Sequence, residues 1–369
     1  MITKDKIDSI LSKHGRKNIS IATYCSHSAL NIFYGARKEG FKTVGIAQEK
    51  EIPFYNAFQE ASPDIYLPVE EHKDMLEREF QKHLRGHNTI VIPHGSFVEY
   101  VGAKNLENEF KVPMQGNRKV LAWESDREKQ KQWLREAGVK TPTEFALPSG
   151  IDRLSIVKFD GAKGGKGFFF ARNEKDFYKE MEKRKKDPEK EKYFIQEYVF
   201  GSRFYPHLHF SPFSGRGLKI NDGWLEMLGY DIRRESNIDE LHRAGLSRDE
   251  LRKKGIEESF TVVGNEATVP REKHQAKYLS IGRQIVEASQ RLFSPGMLGP
   301  FCPETIITKD EEVYTFEIST RIVAGTNVWS PHGSPEAWYT WGEEMPMGKR
   351  IAREIKIGIE RDELEKIVS

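Results

Sequence analysis

The chain has few cysteines, little net charge and no long apolar run, and each shortage excludes a class of protein. Only Cys25 and Cys302 occur in 369 residues, which argues against a disulfide scaffold or a Cys-based zinc site. No apolar run approaches the ~18 residues of a membrane span, and the charged start MITKDKIDSILSKHG lacks the apolar core of a signal peptide. The net charge of +2 gives no electrostatic reason to bind nucleic acid. We therefore expect a cytoplasmic protein that binds neither membranes nor nucleic acid.

The residues that are present point first to phosphate chemistry, in the stretch IVKFDGAKGGKGFFF of residues 156–170. A strand-like run ends on Lys158, a loop with four glycines and two lysines follows, and an aromatic run predicts a second strand. Glycines let backbone N–H groups approach an anion, and lysines add positive charge, so the loop predicts a flexible phosphate cover in an ATP-using enzyme. Its spacing is neither that of a Walker A loop nor that of G-x-G-x-x-G before a helix. The alternative is an ordinary glycine-rich hairpin turn with solvated lysines.

The chain length predicts two or three packed subdomains. Residues 19–47 alternate strand, helix and strand, and residues 89–96 add a buried strand, so the first ~120 residues predict a parallel α/β domain. Helices are predicted over 119–138, 174–192, 273–293 and 347–369, and a polar loop with short helices over 231–257.

Two acids lie on the arms of a predicted hairpin formed by GPFCPETII and VYTFEISTRIVAGTN. Glu304 is on the first arm and Glu317 on the second, and a strand period of two places Glu317, Ser319 and Arg321 on one face. Two carboxylates that face one point suit a hard cation such as Mg²⁺. An arginine beside them can bind a transferring phosphoryl group. The alternative is a solvated strand face with outward charges.

Two turns with His and Ser follow predicted strands, Ser26-His27-Ser28 and His94-Gly95-Ser96. Free N–H groups at the start of a helix attract anions, and serine hydroxyls can cap the helix or bind phosphate. Either turn alone is equally well explained as a simple helix cap. Two of them at adjacent strand ends favour a site for a nucleotide monophosphate.

Together these parts resemble the ATP-grasp enzymes, in which a nucleotide lies between two α+β lobes. The resemblance implies a Rossmann-like N-terminal domain over residues 1–123, a lobe with the glycine-rich lid over 124–200 and a lobe with the metal site over 201–369. It implies that Glu304 and Glu317 bind Mg²⁺ or Mn²⁺, and Ser319 stands where an asparagine is usual. The ATP-binding residues implied are Lys158, Gly164, Gly165, Lys166, Gly167, Gln196, Glu197, Tyr198, Val199 and Glu235. Lys158 would hold the α- and β-phosphates, and residues 196–199 would contact the adenine or ribose.

A closer resemblance extends from about residue 19 to the C-terminus. The segments CSHSAL, IPHGSFVEYVG, NRKVLAWESDRE, RRESNID and FEISTRIVAGTN resemble the archaeal formate-dependent 5-formaminoimidazole-4-carboxamide ribonucleotide (FAICAR) synthetases. That family uses ATP and formate to formylate 5-aminoimidazole-4-carboxamide ribonucleotide (AICAR) in purine (IMP) biosynthesis. The resemblance implies that His27, Ser96 and Asn265 contact AICAR, that Lys158 and Arg321 are catalytic, and that the chain forms a homo-oligomer, a trimer or hexamer.

Two positions depart from the pattern that this resemblance leads us to expect. Arg234 stands where an aromatic residue is expected, and Glu266 where an apolar one is expected, both near the predicted AICAR site. They favour a second hypothesis, a paralogous ligase that joins another small carboxylate to an amine. A third hypothesis, a nucleotide-binding sensor without catalysis, would require a broken metal site. From the residues alone, Glu235 and Asn265 are better explained as structural, since loop acids and Gly-Asn turns are common.

Overall fold

The computed structural model describes residues 2–159, 167–236, 239, 243–245, 250, 253, 255 and 261–369. Most of the predicted lid, including Gly164, Gly165 and Lys166, lies outside the described residues, and so does much of 237–260. Within the described ranges no helix has both the length and the apolar character that a membrane crossing needs.

The described residues form the following elements. The helices are α1 (Lys4–Leu11), α2 (Ala29–Lys38), α3 (Ile52–Asn56), α4 (Arg78–Gly86), α5 (Gly95–Val101), α6 (Ala103–Asn108), α7 (Lys119–Ser125), α8 (Arg127–Ala137), α9 (Glu174–Lys183), α10 (Glu272–Leu292), α11 (Pro335–Trp341) and α12 (Met347–Glu360). The strands are β1 (Ser20–Tyr24), β2 (Lys42–Ala47), β3 (Ile65–Pro68), β4 (Thr89–Val91), β5 (Glu144–Phe145), β6 (Ser155–Phe159), β7 (Phe168–Ala171), β8 (Tyr193–Glu197), β9 (Ser202–Ser211), β10 (Leu218–Ile220), β11 (Gly223–Glu235), β12 (Val262–Ala267), β13 (Gly299–Ile307) and β14 (Val313–Ser319).

The N-terminal sheet is parallel, with strand order β3-β2-β1-β4. Every residue of β1 is buried, as expected for a strand with both faces covered. The predicted parallel α/β fold at this end of the chain is therefore confirmed. Because β1 and β4 are neighbours, the turns that follow them meet at one edge of the sheet.

Two further sheets complete the mixed α/β architecture. The smaller has the order β5-β8-β6-β7 and is antiparallel; its core includes Val157, Phe169, Phe177 and Ile195. The larger has the order β10-β11-β9-β13-β14, with β12 paired to β11. The domain boundaries predicted at 123/124 and 200/201 stay predictions.

Several predicted elements differ in extent from those observed. The predicted helix over 119–138 is two helices, because Asp126 is extended and its carboxylate caps α8 by accepting from the N–H groups of Glu128 and Lys129. The helix predicted over 174–192 ends at Lys183, upstream of Pro188, which cannot continue a helix. Residues 231–235, predicted as loop, are the end of β11. The predicted helix over 273–293 is confirmed as α10, whereas the closing helix predicted over 347–369 ends at Glu360.

The first and last parts of the chain meet where α2 crosses α12. A Cβ atom on Gly35 would overlap the backbone of Gly348 and Lys349, and one on Gly348 would overlap the backbone of Asn31. The Asn31 side chain bridges the contact, since its Oδ1 accepts from Gly348 N (3.0 Å) and its Nδ2 donates to Thr326 O (3.3 Å). This crossing therefore fixes the start of α2 against the loop at 324–329.

Substitution of Gly35 by alanine tests this crossing. The methyl group of Gly35→Ala has no space against the α12 backbone, and backbone cannot move aside as a flexible side chain can. We expect the free energy of unfolding, measured by urea denaturation, to fall by at least about 2 kcal/mol. Gly86→Ala in α4 is the matched control, because a Cβ there meets no atom within 4 Å. Equal unfolding midpoints for the two variants would contradict the tight crossing.

Candidate active site

A cleft between the two antiparallel sheets brings together the predicted nucleotide-binding and metal-binding residues. It has a volume of about 330 Å³. Its lining includes Lys158, Gln196, Glu197, Tyr198, Val199, Glu235, Glu304 and Glu317, together with Arg127, Phe168, Phe170, Arg203, Tyr205 and Arg233. A second cleft of about 680 Å³ shares Lys158, Gln196 and Glu317 and extends along α8. Gly167 lies at the start of β7 with a φ of 76°, a conformation that favours glycine.

Lys158 lies on the cleft side of the smaller sheet. Its strand, β6, is central there, and the Lys158 position is paired with Phe168 on one side and Phe194 on the other. The Nζ atom is 5.3 Å from the centroid of the Phe194 ring. Burial lowers the pKa of Lys158, while the Glu317 carboxylate opposes this shift. The result is a cation placed where a phosphate would meet little competing water.

The segment 196–199 forms one wall of the cleft and also joins β8 to the connector before β5. Glu197 N donates to Thr143 O (2.7 Å), and the Glu197 Oε2 atom accepts from Thr143 N (3.1 Å). The Tyr198 ring meets the Phe170 ring edge-on, with centroids 4.9 Å apart. These contacts give the cleft an aromatic wall, which suits a planar base.

The two predicted metal ligands face each other across β13 and β14. Glu304 pairs directly with Glu317 in the strand register. Arg233 donates to both Glu304 oxygens (2.9 and 2.6 Å), and Ser319 Oγ donates to Glu304 Oε1 (3.2 Å). Glu317 is exposed to the cleft, and the Glu304 carboxylate raises its pKa.

These carboxylates fit a hard divalent cation. The Glu317 carboxylate has no hydrogen bond or ion pair to any residue that the structure describes, so its lone pairs are available. Glu304 is 5% exposed and is held in place by Arg233 and Ser319. Ser319 thus orients a carboxylate instead of projecting into the cleft as a ligand of its own. Carboxylate oxygens of this kind suit Mg²⁺ or Mn²⁺.

Arg233 is a residue of the candidate site that sequence reasoning missed. It belongs to a run in which alternate residues of β11 find partners on one face: Asp231 with His207, Arg233 with Glu304, and Glu235 with Arg203. The Arg203–Glu235 distance is 2.7 Å. Alternating charge at 231, 233 and 235 was the available signal, since a period of two is typical of a strand.

The predicted AICAR residues of the N-terminal domain also meet. Ser26 Oγ donates to Ser96 Oγ (3.1 Å), so the turns after β1 and β4 are in contact. The rings of His27 and His94 are parallel, with centroids 5.7 Å apart. Burial first, and then the neighbouring His94, Arg321 and Arg233, lowers the pKa of His27 to about 3. His27 is therefore a neutral imidazole near pH 7, able to donate and accept hydrogen bonds.

Arg321 connects this turn to the hairpin that carries Glu304 and Glu317. A Cβ atom on Gly95 would lie 3.3 Å from Arg321 Cζ and 3.3 Å from His27 Nε2, so both side chains border the same turn. The other side of the guanidinium faces Glu124, with Nη2 3.1 Å from Glu124 Oε1. Glu124, which sequence reasoning also missed, additionally accepts from Thr320 N (2.8 Å). Arg321 is thus held by an acid close to the predicted acceptor site.

Asn265 joins the same site through a chain of polar contacts. Its Nδ2 donates to Asp231 Oδ2 (2.7 Å), and a Cβ on Gly325 would overlap the Asp231 carboxylate. In the loop that contains Gly325, Asn327 Nδ2 donates to His27 O (2.9 Å). The loop at 324–329 therefore packs against both predicted AICAR contacts.

Comparison with known proteins identifies the family. Two family models, described as "Domain of unknown function (DUF1297)" and "Protein of unknown function (DUF1246)", match residues 175–369 and 21–145. A "5-formaminoimidazole-4-carboxamide-1-(beta)-D-ribofuranosyl 5'-monophosphate synthetase" of Korarchaeum cryptofilum is 46% identical, and the match covers 100% of both chains. The chain belongs to the FAICAR synthetase family.

A solved structure agrees with this assignment, and a second supports the fold. The crystal structure of an IMP biosynthesis protein PurP from Thermococcus kodakaraensis matches with a TM-score of 0.73 and 29% identity, over 95% of this chain and 100% of that one. An N5-carboxyaminoimidazole synthetase from Staphylococcus aureus, complexed with ADP, matches with a TM-score of 0.53 and 15% identity, over 84% and 72%. The second match is distant and supports the fold alone. The predicted fold class is confirmed.

The two departures from the FAICAR synthetase pattern pair with one another. Arg234 Nε and Glu266 Oε1 form an ion pair between exposed side chains. In the register of β11 and β12, Arg233 is opposite Asn265, so Arg234 and Glu266 belong to the other face of the sheet. Glu266 is adjacent to Asn265 in the sequence, and Arg234 is adjacent to Arg233, but both side chains lie on the face of the sheet away from Asn265 and Arg233.

Replacement of Glu317 by glutamine tests the repulsion between the carboxylates. Like charges directly opposite each other on paired strands are destabilising. We expect Glu317→Gln in metal-free buffer to raise the free energy of unfolding, by about 1 kcal/mol at most because solvent in the cleft screens the charges. Urea denaturation at pH 7.5 with EDTA measures this. Glu312→Gln, on the same hairpin but paired with Lys140 (2.8 Å), should give no gain. Loss of stability in Glu317→Gln would contradict the charge arrangement.

Proposed function

We propose that this chain is an ATP- and formate-dependent ligase that formylates AICAR to FAICAR, with release of ADP and phosphate. One observation carries the proposal: Arg321 borders the His27 turn and lies four residues beyond Glu317, so the acceptor site and the metal-ligand hairpin adjoin. Formate is phosphorylated at one of these sites and the formyl group is transferred at the other, so the proposed reaction requires the two sites to adjoin.

ATP would occupy the cleft between the antiparallel sheets. Its base would meet the wall formed by Tyr198 and Phe170, and its phosphates would meet Lys158, while the predicted ATP-binding residues Gly164, Gly165 and Lys166 lie outside the described residues. Glu235 is tied to Arg203 at the edge of the cleft and can reach the nucleotide. Glu304 and Glu317 would hold Mg²⁺ or Mn²⁺, which neutralises charge on phosphate oxygens during phosphoryl transfer.

The chemistry takes two steps. A formate oxygen attacks the γ-phosphorus of ATP, the bond to the bridging oxygen breaks, and ADP leaves with the electron pair. The 5-amino nitrogen of AICAR then attacks the formyl carbon of formyl phosphate, and phosphate leaves and takes up the proton that the amine loses. Lys158 and Arg321 stabilise charge on the transferred group, and most of the rate comes from positioning and electrostatics.

AICAR would lie at the meeting point of the strand-end turns. The hydroxyl of Ser96 and the N–H groups after β4 bind its phosphate. Neutral His27 and the Asn265 amide orient it by hydrogen bonds. With its pKa lowered, His27 is a weak base and serves chiefly to bind.

The rival hypotheses lose their support. The paralogous ligase rested on Arg234 and Glu266, which pair with each other on the far face of the sheet. The sensor required a broken metal site, whereas Lys158, Glu304 and Glu317 line one cleft. The homo-oligomer, trimer or hexamer, stays a prediction.

The products formed by the full chain test the proposed function. Incubation with ATP, formate, AICAR and Mg²⁺ should yield FAICAR, detected by mass spectrometry, together with ADP and phosphate. Omission of formate or of AICAR should slow ADP release at least tenfold, because the activated formyl group is made and consumed in one site. ADP release at the same rate without either substrate would overturn the proposal.

Substitution of Ser96 tests the acceptor site. We expect Ser96→Ala to raise the KM for AICAR about tenfold and to leave the KM for ATP within about twofold, because a hydrogen bond to a charged phosphate contributes about 1.5–3 kcal/mol. Steady-state ADP release with AICAR as the varied substrate measures this. Ser62→Ala, a serine that contacts Asn56 and Tyr66 away from the site, is the control. An unchanged KM for AICAR would contradict the binding of the AICAR phosphate by Ser96.

A further inference from the structure

Asp231 is a buried acid whose two carboxylate oxygens both have partners. It lies on β11 and is 1% exposed. Its Oδ1 atom is 2.8 Å from His207 Nε2, and its Oδ2 atom is 2.7 Å from Asn265 Nδ2. A Cβ atom on Gly325 would overlap this carboxylate, so backbone closes another side of it. Asp231 is therefore fixed in place, and Asn265 is the partner that is also a predicted AICAR contact.

The carboxylate determines which way the Asn265 amide is turned. An ionised carboxylate only accepts hydrogen bonds, so the group of Asn265 that faces Asp231 is its NH2 group. The amide oxygen, Oδ1, consequently points away from Asp231. It accepts no hydrogen bond from the rest of the described chain, and the Asn265 side chain is only partly buried. Asn265 thus offers a ligand an acceptor and keeps its donor for Asp231.

Asn265 lies on the face of the sheet that carries the candidate site. It is directly opposite Arg233 in the strand register, and residues directly opposite each other on paired strands project to the same face. Arg233 lines the cleft and binds Glu304. Burial is the main cause of the lowered pKa of His27, and Arg233 is among the neighbouring charges that add to it. The face that carries Asn265 is therefore the one where the predicted AICAR and metal-binding residues meet.

We propose that Asp231 is a positioning residue that holds the NH2 group of Asn265, so that the Asn265 amide oxygen accepts a hydrogen bond from an N–H group of AICAR. This inference rests on the proposed function. AICAR carries two groups of this kind on its imidazole ring, the 5-amino group and the carboxamide. A fixed acceptor disfavours ligands without the matching donor, because the acceptor is then left unpaired. Asp231 does not touch the ligand and acts only through Asn265.

An exchange of the two residues tests the positioning role with the full chain. In Asn265→Asp two carboxylates meet at hydrogen-bond distance and repel, so we expect the Kd for AICAR to rise at least tenfold. In the double variant Asp231→Asn/Asn265→Asp the amide donates to the carboxylate in the reverse direction, and the second carboxylate oxygen is still an acceptor for the ligand. We expect its Kd to be within threefold of the wild-type value. Isothermal titration calorimetry with AICAR, without ATP or formate, measures both.

Thermal unfolding of each variant separates an effect on binding from an effect on folding. Asn221→Asp is the matched control, because the Asn221 amide donates to the exposed Gln290 side chain and should leave the Kd for AICAR within twofold. A double variant that regains the wild-type Tm without AICAR binding would mean that the ligand needs the NH2 group of Asn265, and would overturn the inference. A double variant that regains neither would contradict the pairing of Asp231 with Asn265.

Turnover distinguishes a failure of this inference from a failure of the proposed function. AICAR binding that follows the expected pattern without FAICAR formation would overturn the proposed function and leave the positioning role standing. FAICAR formation by the wild-type chain, with an unchanged Kd for AICAR in Asn265→Asp, would overturn the positioning role alone.

A ligand without the carboxamide identifies the donor on AICAR. 5-Aminoimidazole ribonucleotide keeps the 5-amino group and lacks the carboxamide. If Asn265→Asp weakens its binding as much as that of AICAR, the 5-amino group is the donor to Asn265. If its binding does not change while that of AICAR does, the donor is the carboxamide.

Discussion

The site depends on two carboxylates that repel each other. Glu304 and Glu317 are directly opposite on paired strands, an arrangement that costs free energy unless other charges offset it. Arg233 binds both oxygens of Glu304, and Ser319 donates to one of them, so this acid is compensated within the fold. Glu317 has only longer-range attraction to Arg233 and Lys158 to offset the repulsion. The structure thus holds one carboxylate in place and leaves the other without a hydrogen bond or ion pair among the described residues, which is why we propose a cation there.

The acceptor side of the site depends on a contact between distant parts of the chain. Backbone meets backbone where α2 crosses α12, and Asn31 extends that contact to the loop at 324–329. The same loop donates to His27 O through Asn327 and packs on Asp231 through Gly325. Because Asp231 is on the strand that also carries Arg233, the predicted AICAR residues and the predicted metal ligands share one framework. A shift of α2 would disturb both.

Local spacing predicted the turns and the hairpin that carry much of the candidate site, and the roles of the site residues stay predictions. The loop after Lys158, the hairpin acids and the two His/Ser turns each lie within a short stretch whose strand or turn pattern is visible in the sequence. Arg233, Glu124 and Asn327 were missed because their partners Glu304, Thr320 and His27 are 71, 196 and 300 residues away. The spacing of residues within a short stretch of sequence does not encode contacts between residues so far apart in the chain. Glu266 and Arg234 were misjudged for a related reason: Glu266 is adjacent to Asn265 in the sequence and Arg234 to Glu235, and this concealed that both lie on the other face of the sheet.

An unpartnered carboxylate marks the place in the candidate site where we propose that a cation binds. Within the described residues, Glu317 has no hydrogen bond or ion pair, and it lies directly opposite Glu304 on the paired strand. Such a carboxylate lowers the stability of the chain when it stands alone, and a cation that binds the folded chain would offset that cost. The fold therefore retains free energy that the proposed cation would recover.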